Sequence, residues 1–399
     1  MNFDNFMLTQ NKKIIKLLLT GGGTGGSVAP LLAVANQLSI TNYQLRINKN
    51  ADKEILYKFL WIGTKNGPER EMVEKAGIKF KTIICGKLRR YFSWQNFIDI
   101  FKIKIGFWQS FFVLLKWRPD LVIAAGSFVS VPVVWAAWIL HIPILIHQQD
   151  IRPGLANKLM ALFAKVITVT FEKSLEDYGK KAVWIGNPIR RQLTVSNCKL
   201  QINNYRQYNL NKDLLVVLIV GGGTGAEAIN NLILQSLDEL TKFCQVIHLT
   251  GINKINTKYK IQNTNYSNYE FLDVEQMAEV YNLADIVVSR CGLGVLTELS
   301  YLGKPTILIP MPDSHQEDNA AIFEEAQATI ILKQKELTSE KLISEIKKLV
   351  INKKLQEKLS QNIKLVMKQG ANEAMVKIIE RITRNERNAR NIVKIVLLW

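Results

Sequence analysis

The sequence repeats one local pattern, IIKLLLTGGGTGGSVAPLLAVANQL at residues 14–38 and LLVVLIVGGGTGAEAINNLILQSL at residues 214–237. Each copy begins with an apolar run, continues into a glycine cluster, and ends in a segment whose apolar residues recur at helical spacing. This order predicts a strand, a tight turn and a helix. Two copies about 200 residues apart predict a duplicated architecture.

Strand-like runs alternate with helical segments through both halves of the chain. The predicted strands are FLWIGT (59–64), LVIAAG (121–126), IPILIHQ (142–148) and VITVT (166–170), then LLVVLIV, QVIHLT, DIVVSR and PTILIP in the second half. GPEREMVEKAG (67–77) and PVVWAAWILH (132–141) are predicted as helices between strands. Such alternation is typical of parallel sheets buried on both faces by helices. We therefore predict an α/β chain with two Rossmann-like parallel-sheet domains facing a cleft.

The joint between the domains is predicted at WIGNPIRRQL (184–193), which contains Pro188 and precedes a segment rich in Asn and Gln. A chain of 399 residues is long enough for two domains with separate cores. We predict an N-terminal domain over 1–187 and a C-terminal domain over 188–375. The helical tail, 376–399, is expected to pack back on the N-terminal domain.

The formal net charge of +18 predicts an anionic partner, and charge alone leaves nucleic acid, a phosphorylated substrate and an acidic membrane face open. Four cysteines lie far apart without a CxxC pair, which argues against zinc or a disulfide framework and favours a reducing cytosol. The apolar run 14–19 is interrupted by Lys16 and leads into glycines, so we predict a strand there and not a signal peptide. The longest uncharged apolar run, 105–115, is too short to cross a bilayer.

The two glycine turns are predicted to bind anions. GGGTGG (21–26) matches GxGxxG, and GGGTGA (221–226) matches its variant. A nicotinamide site would also need an acid at the end of the second strand, and FLWIGT and QVIHLTG offer none. Glycines still let backbone amides and a helix N-terminus approach a phosphate. A tight turn without a ligand is the alternative.

The segment SRCGLGVLTELSYLGKPTILIPMPDSHQEDNA (289–320) carries the most specific pattern. It predicts a strand, a glycine turn, a helix starting at Thr297 and Glu298, a second strand ending at Pro310, and a polar loop. A carboxylate on the first turn of such a helix would lie where open α/β sheets bind nucleotides, and could hold ribose hydroxyls. A favourable charge at a helix N-terminus is the alternative interpretation of Glu298.

These motifs, together with GSFVSVP, HQQD…GLANK, GNPIR and FLD, run in order from about Ile14 to Asn319. As a set they resemble the family 28 glycosyltransferases that add N-acetylglucosamine to complete the lipid-linked disaccharide precursor of bacterial peptidoglycan. The resemblance implies the glycosyltransferase B fold and a role in cell-wall synthesis, with effects on cell shape and division. It implies UDP-N-acetylglucosamine as donor, a lipid-linked muramyl-peptide as acceptor, no cofactor, and a peripheral position on the cytoplasmic face of the cell membrane. The first glycine turn would face the acceptor pyrophosphate, and the second the UDP diphosphate.

Individual site residues follow from the same resemblance. It assigns uracil to the backbone near Leu272, ribose to Glu298, and the sugar hydroxyls to Gln316 and Asn319. Arg190 of GNPIR would neutralise phosphate as a bidentate donor. The full substrate-binding set that it implies is Thr24, Gly25, Gly26, Asp150, Arg190, Gly223, Leu272, Leu293, Gly294, Val295, Leu296, Thr297, Glu298, Gln316 and Asn319.

The chain departs from the family pattern at three places. It has Ser27 where the family usually has His, Gln148-Gln149-Asp150 in place of Glu-Gln-Asn, and Gly223 in place of Ser. Asp150 is the one ionisable side chain left at these positions, so we predict it as the catalytic base, with Ser27 as a second catalytic candidate. His147 is expected to be structural. No DxD occurs in the chain, so we predict that no metal holds the diphosphate.

A basic, aromatic-rich segment, GKLRRYFSWQNFIDIFKIKIGFWQSFFVLLKWRPD (86–120), allows two kinds of binding. It could bind nucleic acid through phosphate contacts and stacking. It could also lie in a membrane interface with its bases on anionic lipid. The lipid-linked acceptor favours an anionic membrane surface over nucleic acid. Residues 107–115 are expected to belong to an ordinary core helix.

Three other functions remain as alternatives at this stage. They are a diacylglycerol glycosyltransferase of the same fold, a UDP-sugar epimerase of similar architecture, and a basic nucleotide- or RNA-binding protein.

Overall fold

The computed structural model describes residues 13–23, 25–47, 55–86, 94–195, 205, 207–222, 225–254 and 264–396. The chain divides into two units, Met1–Pro188 with Lys368–Trp399, and Ile189–Met367. Residues 368–375, which the sequence analysis assigned to the second domain, group with the first unit because Met375 is buried in its core. The boundary predicted at residue 376 lies inside one helix, Ala371–Val396.

The first unit contains a sheet of seven parallel strands. They are β1 (Lys13–Thr20), β2 (Ile55–Gly63), β3 (Lys79–Thr82), β4 (Leu121–Ala124), β5 (Ile144–Gln148), β6 (Val166–Val169) and β7 (Ala182–Trp184). Their order across the sheet is β3-β2-β1-β4-β5-β6-β7. Strands β4, β5 and β6 are buried along their whole length, as near-continuous apolar runs in a parallel sheet require.

Helices cover both faces of this sheet. They are α1 (Ala29–Ile47), α2 (Glu69–Lys75), α3 (Trp94–Trp117), α4 (Ser130–Ile139), α5 (Leu155–Ala161) and the C-terminal helix. Successive side chains of a strand point to opposite faces, so Leu17 and Leu18 of β1 belong to different cores. Leu17 packs in the core that contains Met375 of the C-terminal helix, and Leu18 in the core with Val133 of α4.

The second unit contains six parallel strands in the order β10-β9-β8-β11-β12-β13. They are β8 (Val216–Val220), β9 (Gln245–Leu249), β10 (Tyr266–Tyr269), β11 (Ile286–Ser289), β12 (Thr306–Leu308) and β13 (Ile330–Ile331). The helices are α6 (Arg191–Val195), α7 (Glu227–Leu240), α8 (Val274–Leu283), α9 (Leu293–Leu302), α10 (His315–Glu325), α11 (Ser339–Ile351) and α12 (Lys353–Val366); the C-terminal helix is α13. This strand order repeats that of the first six strands of the other sheet. The predicted α/β class and the duplication of the sheet are therefore confirmed.

The duplication extends to individual hydrogen bonds. Asp120 precedes β4, and its Oδ2 accepts from the Lys16 backbone N–H at 2.9 Å while its own N–H donates to the Lys16 carbonyl at 2.8 Å. Asp285 precedes β11 and makes the same two bonds to Val216, at 2.8 and 2.9 Å. Each aspartate fixes where the fourth strand of its sheet meets the first. Within each unit, the loops that follow the first and the fourth strand consequently lie side by side at the carboxyl ends of the strands.

Candidate active site

Both glycine turns lie where their sheet changes direction. The first follows β1, which is flanked by β2 and β4, and the second follows β8, which is flanked by β9 and β11. In open parallel sheets, ligands bind at the carboxyl ends of the strands at this reversal. The turn in each unit is therefore the place to look for a site.

In the second unit, this place holds a cavity of about 240 Å³. Its lining comes from the glycine turn, the start of α9 and the loop after β12: Gly221, Gly222, Gly225, Ala226, Arg290, Gly292, Val295, Met311 and Gln316. Helix α9 begins at the cavity with Gly292 as N-cap, and no side chain caps its first amides. Amides at a helix N-terminus and glycines that expose backbone favour an anion.

Arg290 supplies the positive charge in this lining, and the sequence analysis missed it. Its Nη1 donates to the carbonyls of Ile309 and Pro310 at 3.1 and 3.2 Å, and its Nη2 donates to Gln334 Oε1. Partial burial lowers the pKa of the guanidinium from its ordinary value, but an arginine stays charged at neutral pH. Three bonds to the protein hold this cation in one position beside the glycine turn. Its place directly after a strand and before a Gly-rich helix start was the available signal.

Gln316, a predicted sugar contact, lines the cavity and ties two loops together. Its Oε1 accepts from the backbone N–H of Cys291 at 3.2 Å and of Met311 at 3.1 Å. Asn319, the other predicted sugar contact, is buried one helical turn further on, and its Nδ2 donates to the Cys291 carbonyl at 3.4 Å. Asn319 therefore hydrogen-bonds the backbone just before α9 and does not belong to the cavity lining.

Glu298 lies in the second turn of α9, not the first, because the helix begins at Leu293 and not at Thr297 as predicted. Its carboxylate is buried between two donors. Oε1 pairs with Arg190 Nη2 at 3.1 Å, and Oε2 accepts from the Tyr281 hydroxyl at 2.9 Å. Burial raises the pKa of Glu298, and the attraction of Arg190 opposes that rise without cancelling it. The helix-terminus interpretation of Glu298 is therefore wrong.

Arg190 is about one third exposed at its side chain and pairs with Glu298. The predicted ribose residue and the predicted phosphate residue thus form one ion pair in the second unit.

The remaining predicted donor-site residues lie around the same helix and its neighbour. Val295 lines the cavity, whereas Leu293, Leu296 and Thr297 are buried, and an added Cβ at Gly294 would meet nothing within 4 Å. Leu272 is buried directly before Asp273, which caps α8 in a capping box with Gln276. Gly223 lies outside the described residues.

Buried polar side chains support the second glycine turn from below. A Cβ on Gly225 would approach the Thr250 carbonyl to 2.3 Å, so only glycine fits there. Asn230 Nδ2 donates to that carbonyl at 2.9 Å, and Asn230 Oδ1 accepts from His248 Nε2 at 3.0 Å. Burial lowers the pKa of His248 to about 4, so the ring is neutral at physiological pH and protonated on Nε2.

The first glycine turn is held by a buried carboxylate of α2, Glu69, which was not predicted from the sequence. Glu69 Oε2 accepts from the Gly23 backbone N–H at 3.2 Å. Glu69 Oε1 accepts from the Thr64 N–H at 2.8 Å and from the Thr64 hydroxyl. Gly23 has a φ of 81°, a left-handed conformation that favours glycine. Glu69 thus holds the turn in a defined shape.

The other predicted residues of this turn lie in or beside a short 3-10 helix, Gly25–Ser27. Ser27 Oγ donates to the Gly22 carbonyl at 3.2 Å, so the hydroxyl that replaces the family histidine closes the turn. Thr24 lies outside the described residues.

Asp150 follows β5 and is half-buried. His147, three residues earlier, is fully buried, with Nδ1 3.0 Å from Thr168 Oγ1 and Nε2 2.9 Å from Asn187 Oδ1. Burial lowers the pKa of His147 to about 4, so it does not titrate at physiological pH. Asp150 is the one carboxylate of the loop over residues 149–154.

Helix α3 exposes an apolar stripe. The large side chains on it are Ile98, Phe101, Ile105, Trp108, Phe112 and Leu115, each at least 46% exposed. They recur every three or four residues, which places them on one face of a helix. The prediction that residues 107–115 form a core helix is therefore wrong for this face, although Leu114 on the opposite face is fully buried. Lys87, Arg89 and Arg90 lie outside the described residues.

Two negative findings concern the described residues alone. No helix among them is both long and apolar enough to cross a membrane. In the same ranges, no three His, Cys, Asp or Glu side chains come together as a metal site.

The chain matches both domains of one enzyme family. Residues 17–169 match the glycosyltransferase family 28 N-terminal domain, and residues 216–381 match its C-terminal domain. A Clostridium kluyveri protein is 39% identical over 343 residues, covering 85% of this chain and 92% of its own. A Thermoanaerobacter protein is 35% identical over 384 residues, covering 92% and 100%. Both are named UDP-N-acetylglucosamine--N-acetylmuramyl-(pentapeptide) pyrophosphoryl-undecaprenol N-acetylglucosamine transferase.

Solved structures share the fold. Acinetobacter baumannii MurG superposes with a TM-score of 0.67 at 23% identity, covering 92% of this chain and 99% of its own. UDP-GlcNAc 2-epimerase from Neisseria meningitidis superposes with a TM-score of 0.63 at 16% identity, covering 92% and 100%. Fold and site together define a glycosyltransferase of the B fold. The chain belongs to glycosyltransferase family 28.

Proposed function

We propose that this enzyme transfers N-acetylglucosamine, with inversion, from UDP-N-acetylglucosamine to undecaprenyl-pyrophosphoryl-N-acetylmuramyl-(pentapeptide). The observation that carries the proposal is the cavity of the second unit, where the uncapped start of α9 and the fixed cation of Arg290 meet the glycine turn. This combination suits a diphosphate. The named transferases at 35–39% identity support the choice of donor and acceptor.

The donor would lie along α9. Its diphosphate is expected at Gly222, Gly292 and Arg290, where the charge that develops as UDP departs would be neutralised by amides and a guanidinium. Gln316 lines the same cavity, and we expect it to contact the sugar attached to that diphosphate. Glu298 is expected to hold the ribose hydroxyls and the backbone near Leu272 to read uracil.

The acceptor would be activated from the first unit. In the transfer, the acceptor hydroxyl oxygen forms a bond to the anomeric carbon, the bond from that carbon to the diphosphate breaks, and UDP leaves. The hydroxyl proton is assigned to the Asp150 carboxylate. Ser27 stays the second catalytic candidate; its hydroxyl donates to the Gly22 carbonyl, so the proton transfer is assigned first to Asp150.

The stripe on α3 suits a membrane surface. Lys104 and Lys116 flank its exposed aromatic and aliphatic side chains, a combination that binds the interface of an anionic bilayer. We infer a peripheral enzyme on the cytoplasmic face, docked by the first unit, with no role for nucleic acid.

The epimerase alternative rests on fold likeness alone, at 16% identity. An assay of the purified protein with radiolabelled UDP-N-acetylglucosamine tests the proposal directly. With a synthetic lipid-linked muramyl-pentapeptide, the label should move to the lipid; with diacylglycerol as acceptor, it should not. Epimerised UDP-sugar without any acceptor, or transfer to diacylglycerol, would overturn the proposal.

A further inference from the structure

Gln148 ends β5, and its side chain makes four hydrogen bonds. Nε2 donates to the carbonyls of Asp150 at 2.6 Å and Arg152 at 3.2 Å. Oε1 accepts from the Tyr178 hydroxyl at 2.9 Å and from Asn157 Nδ2. The residue is 2% exposed, so water does not replace these partners. Both amide hydrogens and both carbonyl lone pairs are used.

This environment requires an amide at position 148. A carboxylate has no hydrogen to donate, so one of its oxygens would face two carbonyl oxygens, the nearer at the position now 2.6 Å from Nε2. Burial would strengthen that repulsion, because buried polar groups cannot turn to water. The glutamate that the family resemblance expects here therefore does not fit the present loop.

The carboxylate missing from position 148 occurs two residues later. The pattern that the family resemblance implies, Glu-Gln-Asn, has its carboxylate at the first position, whereas Gln148-Gln149-Asp150 has its carboxylate at the third. The number of carboxylates is the same and their place differs. Gln148 Nε2 donates to the backbone carbonyl of Asp150, so Gln148 holds the main chain that carries this carboxylate.

We propose that Gln148 is a positioning residue and forms a functional pair with Asp150. The amide of Gln148 fixes the backbone at residues 150–152, and this loop presents the single carboxylate that the reaction uses. The inference rests on the proposed function for the role of Asp150, but the fixing of the loop does not depend on it.

The test compares Gln148→Glu, Gln148→Met and the double variant Q148E/D150N with the wild type. Methionine keeps the length of the side chain and removes all four hydrogen bonds without adding charge. Glu172→Gln is the matched control, because it is an exposed exchange of carboxylate and amide in the same unit. Steady-state kinetics with both substrates and hydrogen–deuterium exchange of residues 149–154 are measured for each protein.

We expect Q148E and Q148M to lower kcat at least tenfold, since small misplacements of reacting groups are costly. The KM for UDP-N-acetylglucosamine should stay within twofold, because the donor cavity is built by the second unit. Amide exchange at 149–154 should accelerate at least tenfold in both variants, and E172Q should match the wild type in every measurement.

Two results would overturn the pairing. One is wild-type kcat and loop exchange in either single variant, which would show that the amide does not hold the loop. The other is wild-type kcat in Q148E/D150N, which would show that a carboxylate at 148 works without the amide. If the wild type shows no transfer but the loop exchange still accelerates in the variants, the proposed function fails while the fixing of the loop by Gln148 stands.

Discussion

Glu298 is the buried carboxylate of the proposed donor site, and it is shared between Arg190 and Tyr281. We expect Glu298→Ala to weaken UDP binding by roughly 10- to 150-fold, the loss of one charge-assisted hydrogen bond of about 1.5–3 kcal/mol. Calorimetry with UDP measures this. Tyr281→Phe is the control, since it removes one bond to Glu298 and keeps the carboxylate; it should bind UDP within about threefold of the wild type. Unchanged UDP affinity in Glu298→Ala would remove the ribose assignment.

The buried carboxylate of Glu298 should also make the stability of the protein depend on pH. Burial raises the folded-state pKa of Glu298 above its ordinary value of 4.5. The stability that this group contributes is therefore full below that value and is lost as pH rises through the raised pKa. Glu298→Gln does not titrate at this position, so its melting temperature minus that of the wild type should increase from pH 4 to pH 7. Its UDP affinity should be lower than that of the wild type. If the melting temperature of the variant minus that of the wild type decreases from pH 4 to pH 7, the raised pKa is contradicted.

Glu69 is expected to matter for the acceptor and not for the donor. Glu69→Ala leaves the amides of Gly23 and Thr64 without their acceptor, which should cost about 2–4 kcal/mol of unfolding free energy in chemical denaturation. Because the turn lies in the first unit, the KM for the lipid acceptor should rise and UDP affinity should not change. Glu71→Ala is the matched control on α2, where Glu71 pairs with Lys75 at the surface. Equal acceptor KM in both variants would show that Glu69 does not shape the acceptor site.

A single site residue could be predicted from the sequence only where it belongs to a recognisable motif. Gln316 was predicted from its motif and lines the cavity. Glu69 was missed because GPEREMVEKAG alternates charges like a solvated helix, and only the folded sheet brings the first of them against the glycine turn. Arg290 was missed for a related reason: its place between a strand and a Gly-rich helix start is a weak signal for one of 52 basic residues, and only the folded chain shows the carbonyls that fix it.

At the scale of elements, α3 exposes a stripe of large apolar side chains, which we propose binds the membrane surface. Changing Lys104 and Lys116 to Gln should weaken binding to anionic vesicles roughly 30-fold, because each base near such a surface contributes about a factor of five. Changing Trp108 and Phe112 to Ser should weaken binding to anionic and neutral vesicles alike, since the apolar contribution is independent of charge. Flotation with vesicles of graded anionic content measures both effects.

Controls for this prediction come from the second unit. Phe271→Ser removes an aromatic residue that is 66% exposed, and Lys348→Gln removes a surface base. Neither should change vesicle binding. Equal binding of the α3 variants and these controls would show that another surface docks the enzyme.

The inner strands of both sheets were predictable, whereas the four edge strands, β3, β7, β10 and β13, and the faces of the helices were not. Short, mostly apolar runs identified β4, β5, β6, β8 and β11, because a strand buried on both faces has no polar alternation. Helix α3 is apolar on two faces, one packed against α4 and the core of the first unit and one exposed, so composition could not separate core from surface. The start of α9 was placed four residues late, because Gly292 as N-cap carries no side-chain signal.

At the scale of the whole molecule, the proposed function gives each of the two substrates one of the two glycine turns, and it assigns neutralisation of the diphosphate to α9 and Arg290. Activity should therefore be unchanged, within about twofold, after treatment with EDTA. The absence of a DxD motif and the fixed cation in the cavity lead to this expectation. Loss of activity on chelation that magnesium or manganese restores would show that the diphosphate is neutralised in another way.

The cavity at the second glycine turn is proposed to hold the diphosphate of a UDP-sugar. Isothermal titration of the wild type and Arg290→Gln with UDP, UMP and uridine tests it most directly. Glutamine keeps hydrogen-bonding capacity at position 290 and removes the charge. The wild type should bind UDP much more tightly than uridine, and Arg290→Gln should lose at least tenfold in UDP affinity with uridine affinity unchanged. Equal affinity of the wild type for UDP and uridine, or an Arg290→Gln variant that binds UDP like the wild type, would contradict the claim.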